Sequence, residues 1–168
     1  YVGTGYDGTN YKNDFWEYNP ANNTWSQIEN FPGTARVDAF AFSIENKGYV
    51  GTGYDGDYNQ DFWEYNTNTS EWTQKANFGG EPLCKATAVA LNGNGYVFCG
   101  ANPPFKDNTF EYNPTTNQWT EKTNFPNGAR RYATSFVVND LAYIGTGYKT
   151  NGYTKDLWIF DININIIV

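Results

Sequence analysis

The 168-residue chain contains no histidine. That removes Ser-His-Asp triads, histidine-built copper and zinc sites and the commonest general base. Catalysis would have to come from carboxylates, tyrosine, lysine or cysteine, and each of these falls inside a repeating pattern rather than standing apart from it. Asp14, Asp61 and Asp156 recur at one position, where Asn108 substitutes, which reads as a turn or backbone-bonding element ahead of a strand. Glu17, Glu64 and Glu111 recur inside a strand and suit a cross-strand role. The loops Asp7-Gly8-Thr9-Asn10 and Asp55-Gly56-Asp57 gather oxygens that a hard cation would accept, but they lack the spacing of an EF-hand loop and read as solvated turns. If Asn92–Gly95 turns a hairpin, Cys99 lies opposite Ala88, about four residues from Cys84. A disulfide is then out of reach, and Cys99 reads as a small buried side chain. No cofactor and no metal is expected, and the segment reads as non-catalytic.

Binding chemistry is better represented. Arg36 and Arg130 occupy matching positions near segments that carry Tyr6, Tyr11, Tyr54, Tyr58, Phe105, Tyr148 and Tyr153. A guanidinium beside exposed rings can stack on a sugar or grip a carboxylate. The alternative is that both arginines tie neighbouring units together by bonding loop carbonyls. These nine residues are the candidate ligand-binding set.

Charge narrows the partners. A net charge of -7 is unsuited to a phosphate backbone or an anionic membrane surface, and no apolar run approaches the length of a membrane span. A protein or glycan ligand is expected, with no nucleic acid and no membrane insertion. Aromatic residues form 19% of the chain, far more than a disordered segment carries, so the negative mean hydropathy of -0.68 reflects polar turns rather than disorder. Asn22-Asn23-Thr24 and Asn68-Thr69-Ser70 match the glycosylation pattern, weakly in a chain so rich in asparagine.

What positions the candidate residues is a repeat. Tyr1-Val2-Gly3-Thr4-Gly5-Tyr6 returns at Tyr49, more loosely at Tyr96, and again at Tyr143, at intervals of 48, 47 and 47 residues. Asp14-Phe15-Trp16-Glu17-Tyr18 returns at Asp61, Asn108 and Asp156, while Trp25, Trp72 and Trp119 keep the same register. Each unit divides into four short strands, exemplified by 39–44, 48–53, 61–65 and a strand centred on Trp72, separated by Asn- and Gly-bearing turns. Four strands in about 47 residues is the content of one propeller blade. A lone blade is apolar on both faces, so Trp16, Trp25, Trp63, Trp72, Trp119 and Trp158 are expected to form the core between stacked blades. The fold class is therefore all-β: a propeller segment spanning 1–168 with units of roughly 1–35, 36–82, 83–129 and 130–168, about three and a half four-stranded antiparallel blades.

These motifs resemble the kelch repeat, specifically the galactose oxidase-like kelch proteins of Bacteroidetes. The glycine-bearing strand Tyr49-Val50-Gly51-Thr52-Gly53, the strand Asp61-Phe62-Trp63-Glu64-Tyr65 and the Trp72 strand carry the resemblance. Gly-Thr-Gly stands where the family usually has a double glycine. The resemblance implies a ring of six or seven blades, often on secreted, periplasmic or surface proteins. Galactose oxidase binds copper through tyrosines and histidines, so that activity does not carry over to a chain without histidine. The partial count leaves two expectations open: further blades of a longer chain, or two copies closing one ring, with the first preferred. The tail 161–168 breaks the pattern, with Ile167 in the tryptophan position. Three functions remain in view: a binding module acting through its loops, an architectural array, and part of a carbohydrate-acting enzyme whose catalytic groups lie elsewhere.

Overall fold

A computed structural model describes residues 1–162 and the backbone of 166–167. The rest of the tail, and the side chain of Ile167, lie outside the described residues. Among the described residues all regular structure is β.

Blade 1 holds β1 (Val2–Tyr6), β2 (Tyr11–Asn19) and β3 (Thr24–Ile28). Blade 2 holds β4 (Phe40–Ile44), β5 (Lys47–Gly51), β6 (Phe62–Asn66) and β7 (Glu71–Gln74). Blade 3 is β8 (Thr87–Leu91), β9 (Asn94–Ala101), β10 (Phe105–Asn113) and β11 (Gln118–Lys122). Blade 4 is β12 (Thr134–Val138), β13 (Leu141–Gly145), β16 (Leu157–Asp161) and β17 (Ile166–Ile167), with a small hairpin, β14 (Tyr148–Lys149) and β15 (Gly152–Tyr153), raised from its loop. Every neighbouring pair is antiparallel, and β4, β8 and β12 stand side by side as the inner strands of successive blades.

The inner hairpins are short because two residues suffice to reverse each strand. Asn92 and Gly93 both adopt positive φ, 49° and 78°, the conformation whose twist matches that of the strands. The Gly-Thr-Gly step solves a different problem. Thr4, Thr52, Cys99 and Thr146 sit at φ near 60°, each followed by a glycine at 101° to 121°. This double left-handed step bends the strand and turns the second glycine's amide out of its own ladder. Gly5, Gly53 and Gly100 then donate to the carbonyls of Arg36, Leu83 and Arg130 in the following unit, at 2.7 to 2.9 Å. Blades are thereby stitched by backbone as well as by packing. A side chain at Gly53 would come within 2.8 Å of the Val37 carbonyl, so the close approach excludes any Cβ.

Packing between blades follows the tryptophans. Trp72 packs edge-on against Phe15 and Phe31 of the preceding unit, and its indole N–H donates to the Glu29 carbonyl at 3.2 Å. Trp119 repeats this one blade on, against Phe62 and Phe78, with a 3.1 Å bond to the Ala76 carbonyl. Trp63 and Trp158 lie against Phe31 and Phe125 in the same direction. Trp16 and Trp25 depart from the expectation of burial, with 36% and 52% of their surface exposed. The reason is directional: the equivalents of both face the preceding blade, and no blade precedes β1 among the described residues.

The recurrent glutamates are cross-strand clamps. Glu64 stands opposite Tyr49, accepts its hydroxyl at 2.8 Å and pairs with Lys47 at 3.0 Å. Glu111 does the same with Tyr96 and Lys122. Burial pushes the Glu64 carboxyl up, but the Tyr49 hydroxyl and the two nearby ammonium groups outweigh it and hold it below its ordinary value.

Candidate functional site

The loops joining second to third strands, and the linkers entering each first strand, gather on one face. Linker and loop are zipped by single bridges at equivalent places: Val37 with Tyr54, Cys84 with Ala101, and Arg131 with Tyr148. Such an extended linker alternates its side chains: Arg36, Leu83 and Arg130, just before each bridge, turn inward, whereas Val37 and Arg131 are only half-buried, and Cys84 is covered like its neighbour.

That alternation decides the fate of the candidate arginines. Arg36 and Arg130 are 1% and 0% exposed, so neither guanidinium is presented on the loop surface. Arg36 bonds the Thr34 and Thr52 carbonyls, forks onto Asp61 with one arm at 3.0 Å, and lies 4.9 Å over the Phe31 ring. Arg130 bonds the Thr146 carbonyl, forks onto Asp156 at 2.8 Å on both arms, and lies 4.5 Å over Phe125. Each side chain holds a carbonyl of its own unit, Thr52 or Thr146, and one from the segment just before it, Thr34 or Asn127, while the arginine's own backbone carbonyl accepts the glycine amide of the preceding blade. Asp61 and Asp156 correct the expectation of a turn-forming residue. Each is the counter-charge of a buried guanidinium and also accepts the indole N–H of Trp63 or Trp158, at 2.8 and 2.7 Å. The Arg130 guanidinium holds the Asp156 carboxyl well below the usual carboxylate range, with Trp158 and Asn127 assisting and burial opposing.

The aromatic candidates fall into two groups. Tyr6, Tyr11, Tyr54 and Tyr58 form a chain of ring contacts at 5.6, 6.5 and 5.4 Å across blades 1 and 2. Tyr6 and Tyr11 also border an open groove of about 600 Å³ that includes Val37 and Asp38. Phe105, Tyr148 and Tyr153 form a second chain, at 6.3 and 5.1 Å, across blades 3 and 4. Tyr153 is 91% exposed at the tip of the β14–β15 hairpin. Between the groups, Asp38, Lys85 and Tyr132 recur at one position beside the inner strands. The Lys85 ammonium lies 3.7 Å from Asp38 and 5.3 Å over the Tyr132 ring.

Arg131 is the residue that inspection of the sequence passed over. Its guanidinium lies 4.9, 5.1 and 5.5 Å from the Phe105, Tyr148 and Tyr132 ring centres. Its Nε is buried with no hydrogen-bond partner, and no carboxylate pairs with it among the described residues. The signal was present: in an Arg130-Arg131 pair on an extended linker, one side chain must face out if the other faces in.

Cys84 and Cys99 are free and buried, and burial pushes the Cys99 thiol up to about 12. Asp7 caps its own turn through the Thr9 and Asn10 amides and pairs with Lys12, while Asp55 accepts the Asp57 amide and the Thr34 hydroxyl. Among the described residues no cluster of three or more Cys, Asp or Glu could hold a metal ion, and no helix is long and apolar enough to cross a membrane.

Comparison with known proteins agrees with the geometry. A family model for the Kelch motif matches residues 5–32. Among solved structures, that of YjhT superposes with a TM-score of 0.73 at 22% identity, covering 84% of this chain and 52% of that one. The chain thus spans about half the length of that kelch-type propeller. No curated protein matches the chain. The fold is a partial kelch-type β-propeller, and kelch repeats generally serve as protein-interaction or scaffold modules.

Proposed function

We propose that this chain is a non-catalytic binding module that engages a protein or glycan through its loop face. The observation that carries the reading is Arg131: a guanidinium caged by Phe105, Tyr132 and Tyr148, with a buried Nε that no protein acceptor satisfies. No carboxylate neutralises this guanidinium among the described residues, and a ligand oxygen reaching its terminal nitrogens would supply a charge-assisted hydrogen bond. The flanking rings offer flat apolar surface for a sugar or an aromatic side chain, on loops held by a rigid sheet scaffold. A secreted or surface-displayed setting is part of the proposal, as is the narrower likeness to galactose oxidase-like kelch proteins of Bacteroidetes. Both rest on the repeat motifs alone.

The test is a glycan array that includes uronic acid sugars, together with a panel of glutamate-rich peptides. Arg131→Ala and Tyr148→Ala are each expected to weaken a detected ligand about tenfold, equivalent to about 1.4 kcal/mol. Both side chains are half-buried and lose ring contacts but no hydrogen bond or ion pair, so melting temperatures should fall by only about 2–4 °C with the fold kept. An affinity unchanged in both variants overturns the site. Binding to none of these probes at micromolar strength favours a purely architectural array.

A further inference from the structure

The third unit departs from its neighbours at every position of the buried arginine network except the phenylalanine, and a space opens there. In the second and fourth units a guanidinium lies over Phe31 or Phe125, bonds the Thr52 or Thr146 carbonyl, and forks onto Asp61 or Asp156. The equivalent residues of the third unit are Phe78, Leu83, Cys99 and Asn108, and Phe110 replaces the indole. Leu83 is shorter than arginine and packs into the apolar core with Phe78 and Val97. A cavity of about 550 Å³ remains, bordered by Phe78, Leu83, Cys99, Asn108, Glu81 and Glu121.

This cavity keeps most of the chemistry that holds a guanidinium elsewhere in the chain. The phenylalanine beneath it is retained, and the backbone carbonyl at position 99 corresponds to the one that Arg36 bonds at 52. The carboxylate fork is replaced by an amide oxygen: Asn108 donates its Nδ2 to Glu121 at 2.7 Å, which leaves its Oδ1 without a hydrogen bond among the described residues. Two carboxylates, Glu81 and Glu121, border the opening against one ammonium, Lys106, which holds Glu81 at 2.5 Å. The lining is therefore net acidic.

We propose that this cavity is a socket for an alkylguanidinium group, supplied by an arginine side chain of a partner protein. The chain makes the same group for itself in the units on either side, and an incoming arginine would remake those contacts from outside. A planar guanidinium fits the carbonyl and amide acceptors better than an ammonium does. Lys106 competes for Glu81, so it limits affinity rather than supplying it.

The experiment is an amide and indole NMR titration of the 168-residue chain with Nα-acetyl-arginine methylamide, its lysine and citrulline counterparts, and a short arginine-containing peptide. The arginine probe should shift the Gly79, Gly80, Cys99 and Asn108 signals saturably, with a Kd of about 1–10 mM. The lysine probe should bind at least about fivefold more weakly and the neutral citrulline probe not at all. Lys106→Met should tighten binding about threefold, and Glu81→Gln, at an exposed side chain, should weaken it by about as much. Leu83→Arg should abolish it by filling the socket from within, whereas Arg131→Ala should leave it unchanged, which separates this site from the loop-face reading. No saturable shift, equal binding of citrulline, or Lys106→Met weakening the complex overturns the proposal. Binding of the amide but not of the peptide overturns its assignment to a protein partner.

Discussion

The third unit shows how the buried network can be dismantled, and this predicts what happens when it is dismantled in part. Arg36→Leu alone strands the Asp61 carboxylate, whose side chain is 21% exposed, and leaves the Thr34 and Thr52 carbonyls without their donor. Breaking a buried pair by removing one partner costs about 3–5 kcal/mol, and partial access of water to Asp61 places this case near about 3 kcal/mol. For a chain of this size that is a fall of about 6–12 °C in melting temperature. Transplanting the whole of the third unit's solution, Arg36→Leu with Asp61→Asn and Trp63→Phe, strands no charge. What remains is lost packing, one lost indole bond and the Thr34 and Thr52 carbonyls without their donor, about 2 kcal/mol in all, or about 4–8 °C. The assay is a set of thermal melts on the parent, the three single variants and the triple, read by circular dichroism. The triple should be more stable than Arg36→Leu although it carries two further substitutions, a coupling that independent sites do not show. A triple no more stable than the single, or an Arg36→Leu variant melting within about 2 °C of the parent, would refute the reasoning.

Three further predictions concern the second arginine pair and the backbone stitch between blades. Because Arg130 depresses the folded-state pKa of Asp156, the stability this pair contributes is complete above the unfolded carboxylate value near about 4 and is lost as pH falls below it. Melts between pH 7 and pH 2 should show that loss, and it should shrink in Arg130→Leu/Asp156→Asn/Trp158→Phe. At the blade stitch, Gly53→Ala meets both a φ of 108° and the Val37 carbonyl, and should destabilise by about 3 kcal/mol. Thr146→Gly at an exposed φ of 59° should instead be neutral or stabilising by up to about 1 kcal/mol, since relief of strain offsets the entropy of glycine; urea denaturation measures both.

Much of the architecture was legible from register alone. Tyr49-Val50-Gly51 and Asp61-Phe62-Trp63 recur because each blade must bury the same two faces, so identical local problems receive identical residues, and a period of about 47 residues reports four strands. The unusual Gly-Thr-Gly step was visible as a departure, but its purpose was not. Only the tertiary structure shows the second glycine's amide reaching Arg36, Leu83 or Arg130 in the next blade. Trp16 and Trp25 were indistinguishable from Trp63 and Trp72 by sequence, because exposure depends on which neighbour stands beside a blade and not on the residue itself.

The site divides in the same way. The sequence by itself determined which residue types recur, that histidine chemistry is absent, and that aromatic loops and paired arginines share one end of the repeat. It did not determine which arginine faces in: Arg130 and Arg131 are chemically identical, and the choice between a buried ion pair and a ring-caged guanidinium is made by the alternation of an extended linker docked against Tyr148. Nor could it connect Arg36 to Asp61 and Leu83 to Asn108, each pair being 25 residues apart. A charge buried at one position fixes what its spatial neighbour must be, and only the folded chain says which residue that neighbour is.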